Sequence, residues 1–254
     1  LKAQHSANRR KLVQTFLDYY DGDNTSQYIT KRFNINNFKE VPCMSFNITK
    51  RLVDKMSRAY QMKPSRTLAS QNDLYKELTL YKDYRMCHVE RMVNLLGSVA
   101  LQVSLKEQYG KPCFKYEPIL YYDVTTSDIN PLEITSIRYP IFMNVDDASV
   151  GNEVLRWAYF DNETYKIFDE DSNVLFEDVN PYGVIPFVFL NRQSQIDSVF
   201  SAGAFDVVSC NESLNILFTE LNLGLRFQLF GQYVAEGVYE DEKFERWGSD
   251  QVIT

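Results

Sequence analysis

The sequence predicts an α+β fold in which N-terminal helices precede an antiparallel meander sheet and a long helix follows the sheet. Apolar residues recur every three or four positions up to residue 96 and again after residue 193, which is the helical period. Between these parts apolar and polar residues alternate, and polar turn clusters separate the runs, as in antiparallel meanders. We therefore expect a helical region (1–96), a β region (97–192) and a region of long helix and strand (193–254).

Helices alternate with polar segments in the first region. The first predicted helix begins at Ser6 and ends near Gly22, since its apolar residues form one stripe and glycine commonly follows a helix. Residues 28–42 are polar and rich in asparagine, which favours an extended arm with little regular structure. Asn47 is a predicted N-cap for a second helix that continues to Met62.

The second predicted helix carries a basic face formed by Lys50, Arg51, Lys55 and Arg58. Such a face can bind phosphate, but charges on the outward side of an amphipathic helix are ordinarily solvated, and we favour a solvated face. Residues 72–96 follow as one long helix or two helices in tandem.

The β region contains seven predicted strands. In chain order they lie at 98–107, 113–124, 130–143, 153–160, 164–169, 174–178 and 184–190. Pro118 is expected to break the second of them, because proline cannot donate to a strand ladder. The last four are predicted to form one meander in which each strand pairs with the next.

The turn before the last of these strands has a specific composition. Asn180, Pro181, Tyr182 and Gly183 are typical of a tight turn, in which Gly183 can adopt a positive φ. Pro186 follows within the strand. Since it has no N–H, we expect this strand to lie at a sheet edge or to bulge there, which would also block unwanted pairing with another copy.

Residues 193–230 return to the helical period and are predicted to form a short helix followed by a long one. Apolar residues lie on both flanks of the long helix, which predicts packing against its own core and against a neighbouring subunit. The residues predicted to pack in this way are Phe205, Val208, Leu214, Leu217, Phe218, Leu221 and Leu225. A strand at 232–241 is predicted to follow.

Known catalytic motifs and metal-binding spacings are lacking, so we expect no catalytic site, cofactor or metal. The cysteines are scattered, which predicts reduced thiols. One alternative remains open, a metal-dependent nuclease or phosphoesterase in which Asp123, Asp128, Asp146 or Asp147 bind the metal.

Net charge and hydropathy argue against two classes of protein, those that bind nucleic acid tightly and those that span a membrane. The net charge of −7 argues against a surface that grips nucleic acid tightly, although it allows DNA to pass without being held. No apolar run approaches the length of a membrane span, so we expect none.

Four stretches of the sequence, taken in their order along the chain, resemble those of a known protein family. They are YYDGD (19–23), NITKRLVDKMSRAYQMKP (47–64), ERMVNLLGSVALQV (90–103), and NPYGVIPFVFLNRQ (180–193) with the helix and strand of 205–237. In this order they resemble the N-terminal and wing-forming half of the portal proteins of tailed bacteriophages. The most specific part of the resemblance is the turn and strand at 183–186 followed by the helix.

The resemblance implies a homo-oligomeric ring, typically of twelve subunits, at one vertex of the virion capsid and assembled in the host cytoplasm. The ring would be the head-tail connector through which double-stranded DNA passes during packaging and ejection. Its partners would be the packaging terminase, the head-tail adaptor and the major capsid protein, and it would be no enzyme. A stem, clip and crown would be expected beyond the present stretch. Another virion connector or minor capsid protein without a channel remains an alternative.

Overall fold

The structure of the protein, a computed structural model, describes residues 2–33, 43–62, 64–68, 70, 72–79, 82–108, 111–144, 153–193 and 198–229. Helices combine with antiparallel sheets in these residues, which confirms the predicted α+β fold. The helices are α1 (Lys2–Asp21), α2 (Thr25–Phe33), α3 (Ile48–Met56), α4 (Asn72–Leu78), α5 (Lys82–Leu96) and α6 (Phe205–Leu229). The strands are β1 (Ser98–Gln108), β2 (Lys111–Ile119), β3 (Asp123–Thr126), β4 (Ile134–Asn144), β5 (Glu153–Asp161), β6 (Thr164–Phe168), β7 (Val174–Val179) and β8 (Phe187–Asn191).

The predicted extended arm is wrong over its first part, because Thr25–Phe33 forms α2. Ile29 of this helix is completely buried, and the hydroxyl of Tyr28 donates to the Asp18 carboxylate at 2.7 Å. These tertiary contacts outweigh the polar composition that favours an arm. The rest of the predicted arm, residues 34–42, lies outside the described residues.

Helix α3 begins after its N-cap Asn47, as predicted, but it ends at Met56 and is shorter than expected. Beyond its end, the Glu90 carboxylate accepts hydrogen bonds from the N–H groups of Ala59 and Tyr60. A contact with α5 therefore replaces the next helical turn. The stretch before β1 forms two helices in tandem, α4 and α5.

The strands form two antiparallel sheets rather than one continuous meander. The five-stranded sheet has the order β3-β4-β5-β6-β7, and the three-stranded sheet has the order β2-β1-β8. The prediction that the strand near 184–190 continues the meander is wrong, because β8 pairs with β1. The predicted break at Pro118 is also wrong. Strand β2 continues through it to Ile119, since an edge strand tolerates a missing N–H on its open side.

The tight turn before β8 carries the chain from one sheet to the other. Gly183 has a φ of +63°, and Pro181 is exposed at the turn. Asn180 is buried, and its side-chain amide donates to the carbonyl oxygens of Asp161, at the end of β5, and of Val184, just after the turn. Pro186 lies just before the edge strand β8, and its carbonyl oxygen accepts from the Val103 N–H at 3.0 Å. Its missing N–H therefore costs no ladder bond.

In the described part of the chain, apolar clusters lie among α1, α3, α5 and α6, between the two sheets, and between α5 and the three-stranded sheet. Arg9 of α1 joins the first two. Its guanidinium carbon lies 4.4 Å from the centre of the Tyr122 ring and 4.3 Å from that of Phe200. It also donates to the backbone oxygens of Tyr122 and Ser98, so a half-buried cation is both stacked and hydrogen-bonded.

The segment before α6 is held tightly against the end of α5. Residues 198–204 are not helical, so the predicted short helix is wrong there and α6 is a single helix. The Ser201 N–H donates to the Ser98 hydroxyl at 2.6 Å. Gly97 has a φ of +83°, and a Cβ at this position would overlap backbone atoms of Ser201 and Ala202. This close approach determines where α6 begins.

Two glycine substitutions test this junction. Gly97→Ala should lower the free energy of unfolding by roughly 3 kcal/mol or more, because both its backbone conformation and the missing space oppose a side chain. Gly183→Ala is the matched control. It has a positive φ but no atom within 4 Å of an added Cβ, so it should cost only about 1 kcal/mol. Equal losses in urea unfolding would contradict the close packing at Gly97.

Buried Tyr122 predicts a loss of stability at alkaline pH. Burial raises the pKa of Tyr122 from 10.0 to about 12, and the Arg9 charge partly opposes this. Between these values the unfolded chain has released the proton and the folded chain still binds it, so the free energy of unfolding falls as pH rises. In Tyr122→Phe the free energy of unfolding should fall less steeply with pH, by up to about 1.4 kcal/mol per pH unit.

At pH 7 the Tyr122→Phe variant should keep the native stability, because the hydroxyl has no hydrogen-bond partner within the described part of the chain. Tyr84→Phe, a change of the same kind at a side chain that is 80% exposed, is the control. Urea unfolding at pH values between about 9 and 12 measures the slope. An identical slope in the native protein and in Tyr122→Phe would contradict the prediction.

Candidate functional site

Helix α6 has its polar side buried and much of its apolar side exposed. Asn211, Asn215 and Thr219 are at most 1% exposed and lie at intervals of four residues, which places them on one stripe. The stripe faces α1, α2 and α3. A buried stripe of amides and a hydroxyl is unusual for a helix that packs on a core, because such groups need hydrogen-bond partners there.

The backbone of the segment before α3 supplies these partners. The N–H of Met44 donates to Thr219 Oγ1 at 3.1 Å, that of Phe46 to Asn215 Oδ1 at 2.9 Å, and that of Ile48 to Asn211 Oδ1 at 3.4 Å. Alternate residues of an extended chain are about 6.6 Å apart, and four residues of a helix rise about 6.0 Å. The two spacings are similar, so side chains of α6 accept hydrogen bonds from alternate backbone N–H groups of this segment, as the carbonyl groups of a neighbouring strand would.

The buried stripe is only partly satisfied. Thr219 Oγ1 also donates to the Asn215 carbonyl oxygen at 2.8 Å, so both of its hydrogen-bonding roles are used. The Nδ2 atoms of Asn211 and Asn215 have no hydrogen-bond partner in the described residues. Asn211 and Asn215 therefore accept backbone N–H groups while their own amide donors are buried without partners. Burying these donors is unfavourable, but the hydrogen bonds that the two side chains accept fix the position of the segment on α6.

Five apolar side chains cover much of the outward side of α6. Leu217, Leu221 and Leu225 are 48–58% exposed, Phe218 is 39% exposed and Leu214 is half-buried. We call these five residues the α6 apolar face. Leu214, Leu217 and Leu221 are spaced by three and four residues, which is the spacing of a seam that packs against another helix or a flat apolar surface.

The docked segment extends this face. The rings of Phe46 and Phe218 lie 5.0 Å apart, and Met44 and Phe46 are themselves partly exposed. The polar stripe thus holds apolar side chains of a second element beside α6. The result is a continuous apolar surface made from two parts of the sequence, which is typical of a protein-protein contact.

Two residues predicted to pack with this group lie elsewhere. Val208 is 4% exposed and belongs to the chain's own core, so it is covered before any subunit approaches. Phe205 is exposed, but it precedes Leu221 by sixteen residues, which places it about 160° around the helix from that leucine.

Two of the four carboxylates of the nuclease alternative lie in the described residues. Asp123 Oδ2 lies 3.8 Å from Nη2 of Arg10, and Asp128 is exposed in a loop. Asp146 and Asp147 lie outside the described residues. In the part of the chain that the structure describes, no group of three or more His, Cys, Asp or Glu side chains is arranged to hold a metal ion.

Neighbouring Cys87 and His88 are not paired with each other in a site. The Cys87 thiol donates to the Tyr60 carbonyl oxygen at 3.1 Å. Burial, together with the charges of Arg91 and Arg85, lowers the pKa of His88. Cys43, Cys87, Cys113 and Cys210 are not joined in disulfides.

No family model and no curated protein matches this chain. Across the described ranges, no helix combines the length and the hydropathy that crossing a bilayer requires. The α6 apolar face contains five of the seven residues that the sequence predicts to pack against the core or a neighbouring subunit.

The polar stripe is the feature that sequence reasoning missed. The signal was present, because Asn211, Asn215 and Thr219 repeat at intervals of four residues. Their burial could not be inferred, since the same spacing is expected for a solvated helix face. Only the position of the segment 43–48 distinguishes the two cases.

Removal of the central hydrogen-bond acceptor tests the stripe. Asn215→Ala should lower the free energy of unfolding by about 1–3 kcal/mol and release the segment around Phe46. Hydrogen exchange of the Phe46 amide should therefore become faster, which mass spectrometry of the peptide covering 43–48 can measure. Glu220→Ala, an exposed change on the same helix, is the control. If the Phe46 amide exchanged in Asn215→Ala at the same rate as in the native protein, α6 would not be what holds the segment.

Proposed function

We propose that this chain is the wing-bearing part of a bacteriophage portal subunit, which assembles with copies of itself into a ring at one vertex of the capsid. The ring is a channel for double-stranded DNA during packaging and ejection. It is also the platform on which the packaging terminase and the head-tail adaptor dock. Its role is structural, and ATP hydrolysis belongs to the packaging motor.

The α6 apolar face is the observation that carries this proposal. Monomeric proteins seldom leave a continuous row of leucines exposed along a helix of this length, because apolar area in water is unfavourable. The face cannot be covered by rotating the helix, since the buried side is held by its hydrogen bonds to the segment 44–48. A second copy is the occupant that a ring requires.

Net charge supports the same function. The chain carries 34 acidic and 27 basic residues, so its average surface does not attract the phosphates of DNA. A channel through which DNA slides benefits from this property, because every neutralised phosphate would add affinity and slow the movement. The proposal also fits the order of helices, antiparallel strands and long helix, which is the order of the resemblance described above.

Assembly of the native protein and of α6 variants tests the proposal. Native protein should form closed rings with a central opening in negative-stain electron microscopy, and discrete oligomers in mass photometry. Leu217→Asp/Leu221→Asp should raise the concentration for half-assembly by about tenfold or more, because two charges enter a buried apolar contact. Both leucines are largely exposed in the single chain, so circular dichroism should be unchanged.

Leu132→Asp is the matched control, since Leu132 is exposed in the loop before β4 and far from α6 in sequence. It should assemble like the native protein. A native protein that stays monomeric at high concentration, or that forms only dimers or open filaments, would refute the portal function. Rings that persist in Leu217→Asp/Leu221→Asp would show that the α6 apolar face is not a subunit contact.

A further inference from the structure

Strand β7 is a sheet edge with apolar side chains. It is the last strand of the five-stranded sheet and pairs with β6 on one side, no other strand of the described residues pairs with it, and all six of its residues are exposed. Val174, Leu175, Phe176 and Val179 are 46–73% exposed. An edge of this length and composition attracts other chains unless something covers it or charges protect it.

The charges around β7 are mostly negative. From residue 163 to residue 178 the chain contains six acidic residues and one basic residue, Lys166, whose amino group is already 2.7 Å from Glu177. Glu163, Glu170, Asp171 and Asp178 are exposed and form no ion pair within the described ranges. We call β7 with these acidic residues the β7 edge.

Helix α3 presents the opposite charge together with apolar side chains. Arg51, Lys55 and, just beyond its end, Arg58 are exposed and form no ion pair with any described residue. Leu52 and Met56, both 42% exposed, lie beside them. We call these five residues the α3 face.

Asp54, the acidic residue of α3, does not reduce the positive charge of the α3 face. Asp54 accepts a hydrogen bond from the Tyr20 hydroxyl at 2.8 Å and lies 3.2 Å from Nε of Arg91. Its charge is therefore compensated inside the chain, and the α3 face is positive as seen by a partner.

The two surfaces belong to different layers of the molecule. Helix α3 packs against α1, α5 and α6, whereas β7 packs against β6. Strand β7 is also at the opposite edge of its sheet from β3, where Asp123 lies beside Arg10 of α1. Two different complementary patches on one chain are what a head-to-tail contact requires, and such contacts generate a ring when the rotation closes.

We propose that the α3 face of one copy docks on the β7 edge of the next copy. This inference rests on the proposed function, since it identifies surfaces through which ring subunits meet. Arg51, Lys55 and Arg58 approach the acidic residues around β7, while Leu52 and Met56 cover the exposed apolar side chains of the strand. Complementary charge orients the two copies and speeds their encounter, and the apolar contact stabilises the docked state.

A charge-exchange experiment tests the contact. Arg51→Glu/Lys55→Glu should raise the concentration for half-assembly by about tenfold or more, and so should Glu170→Lys/Asp171→Lys, because like charges then face each other. The protein that carries all four substitutions should assemble within about threefold of the native concentration, since the pairing is restored with reversed sign. Mass photometry measures each variant, and circular dichroism checks that each is folded.

The matched control separates local pairing from net charge. Arg51→Glu/Lys55→Glu is combined with Glu107→Lys and Asp128→Lys, two exposed acidic residues outside the β7 edge. This variant has the net charge of the four-substitution protein but not its pairing, so it should assemble as poorly as Arg51→Glu/Lys55→Glu alone. Recovery in this control would overturn the inference, because it would show that only total charge matters.

Salt dependence provides a measurement on the native protein that needs no variant. Raising the salt concentration from about 0.05 M to about 0.5 M should weaken native assembly, because it screens exposed charges. Salt-independent assembly, or unchanged assembly of Arg51→Glu/Lys55→Glu, would refute the α3–β7 contact while leaving the ring intact. A native protein that remains monomeric would refute the proposed function as well, so the two failures are distinguishable.

Discussion

Hydrogen bonding by three buried polar side chains determines which way α6 faces. Asn211, Asn215 and Thr219 can be buried because the backbone of residues 44–48 donates to each of them. Turning the helix to bury its leucines would leave these N–H groups without partners and would expose the stripe to water, at a cost of about 1–3 kcal/mol for each buried unsatisfied group. The α6 apolar face is exposed for this reason, and the proposed ring contact depends on it.

The passage of the chain between the two sheets has a comparable consequence for β7. The turn at Asn180 and Gly183 sends the chain out of the five-stranded sheet, and β8 then pairs with β1. Had the chain continued as a meander, a further strand would have covered β7. Because it does not, β7 is a sheet edge within the described residues. The acidic residues around it repel the same edge of another copy and attract a basic surface.

Local signals predicted elements well where the relevant interactions are local. Asn47 caps α3, and alternation identified the strands, because capping and pleating involve residues near one another in the chain. The predictions were wrong where contacts between residues far apart in the chain determine the local structure. Ile29 makes α2 helical by its burial, and Glu90 ends α3 by binding the backbone beyond it. Of the seven α6 residues predicted to pack against the core or a neighbouring subunit, Val208 lies in the chain's own core and five form the α6 apolar face. Phe205 is exposed on another side of the helix, because spacing alone does not tell which side the core occupies.

By itself, then, the sequence determined the α+β class, most element positions, and the apolar character of α6, since these depend on periodicity and on turn residues within a few positions. The tertiary structure alone decided that β8 joins the other sheet, that α6 buries a stripe of polar side chains, and that β7 lies at the edge of its sheet. Each of these outcomes depends on contacts between residues far apart in the chain. Residues 44–48 and 211–219, for example, are brought together only by the packing of the helices that carry them.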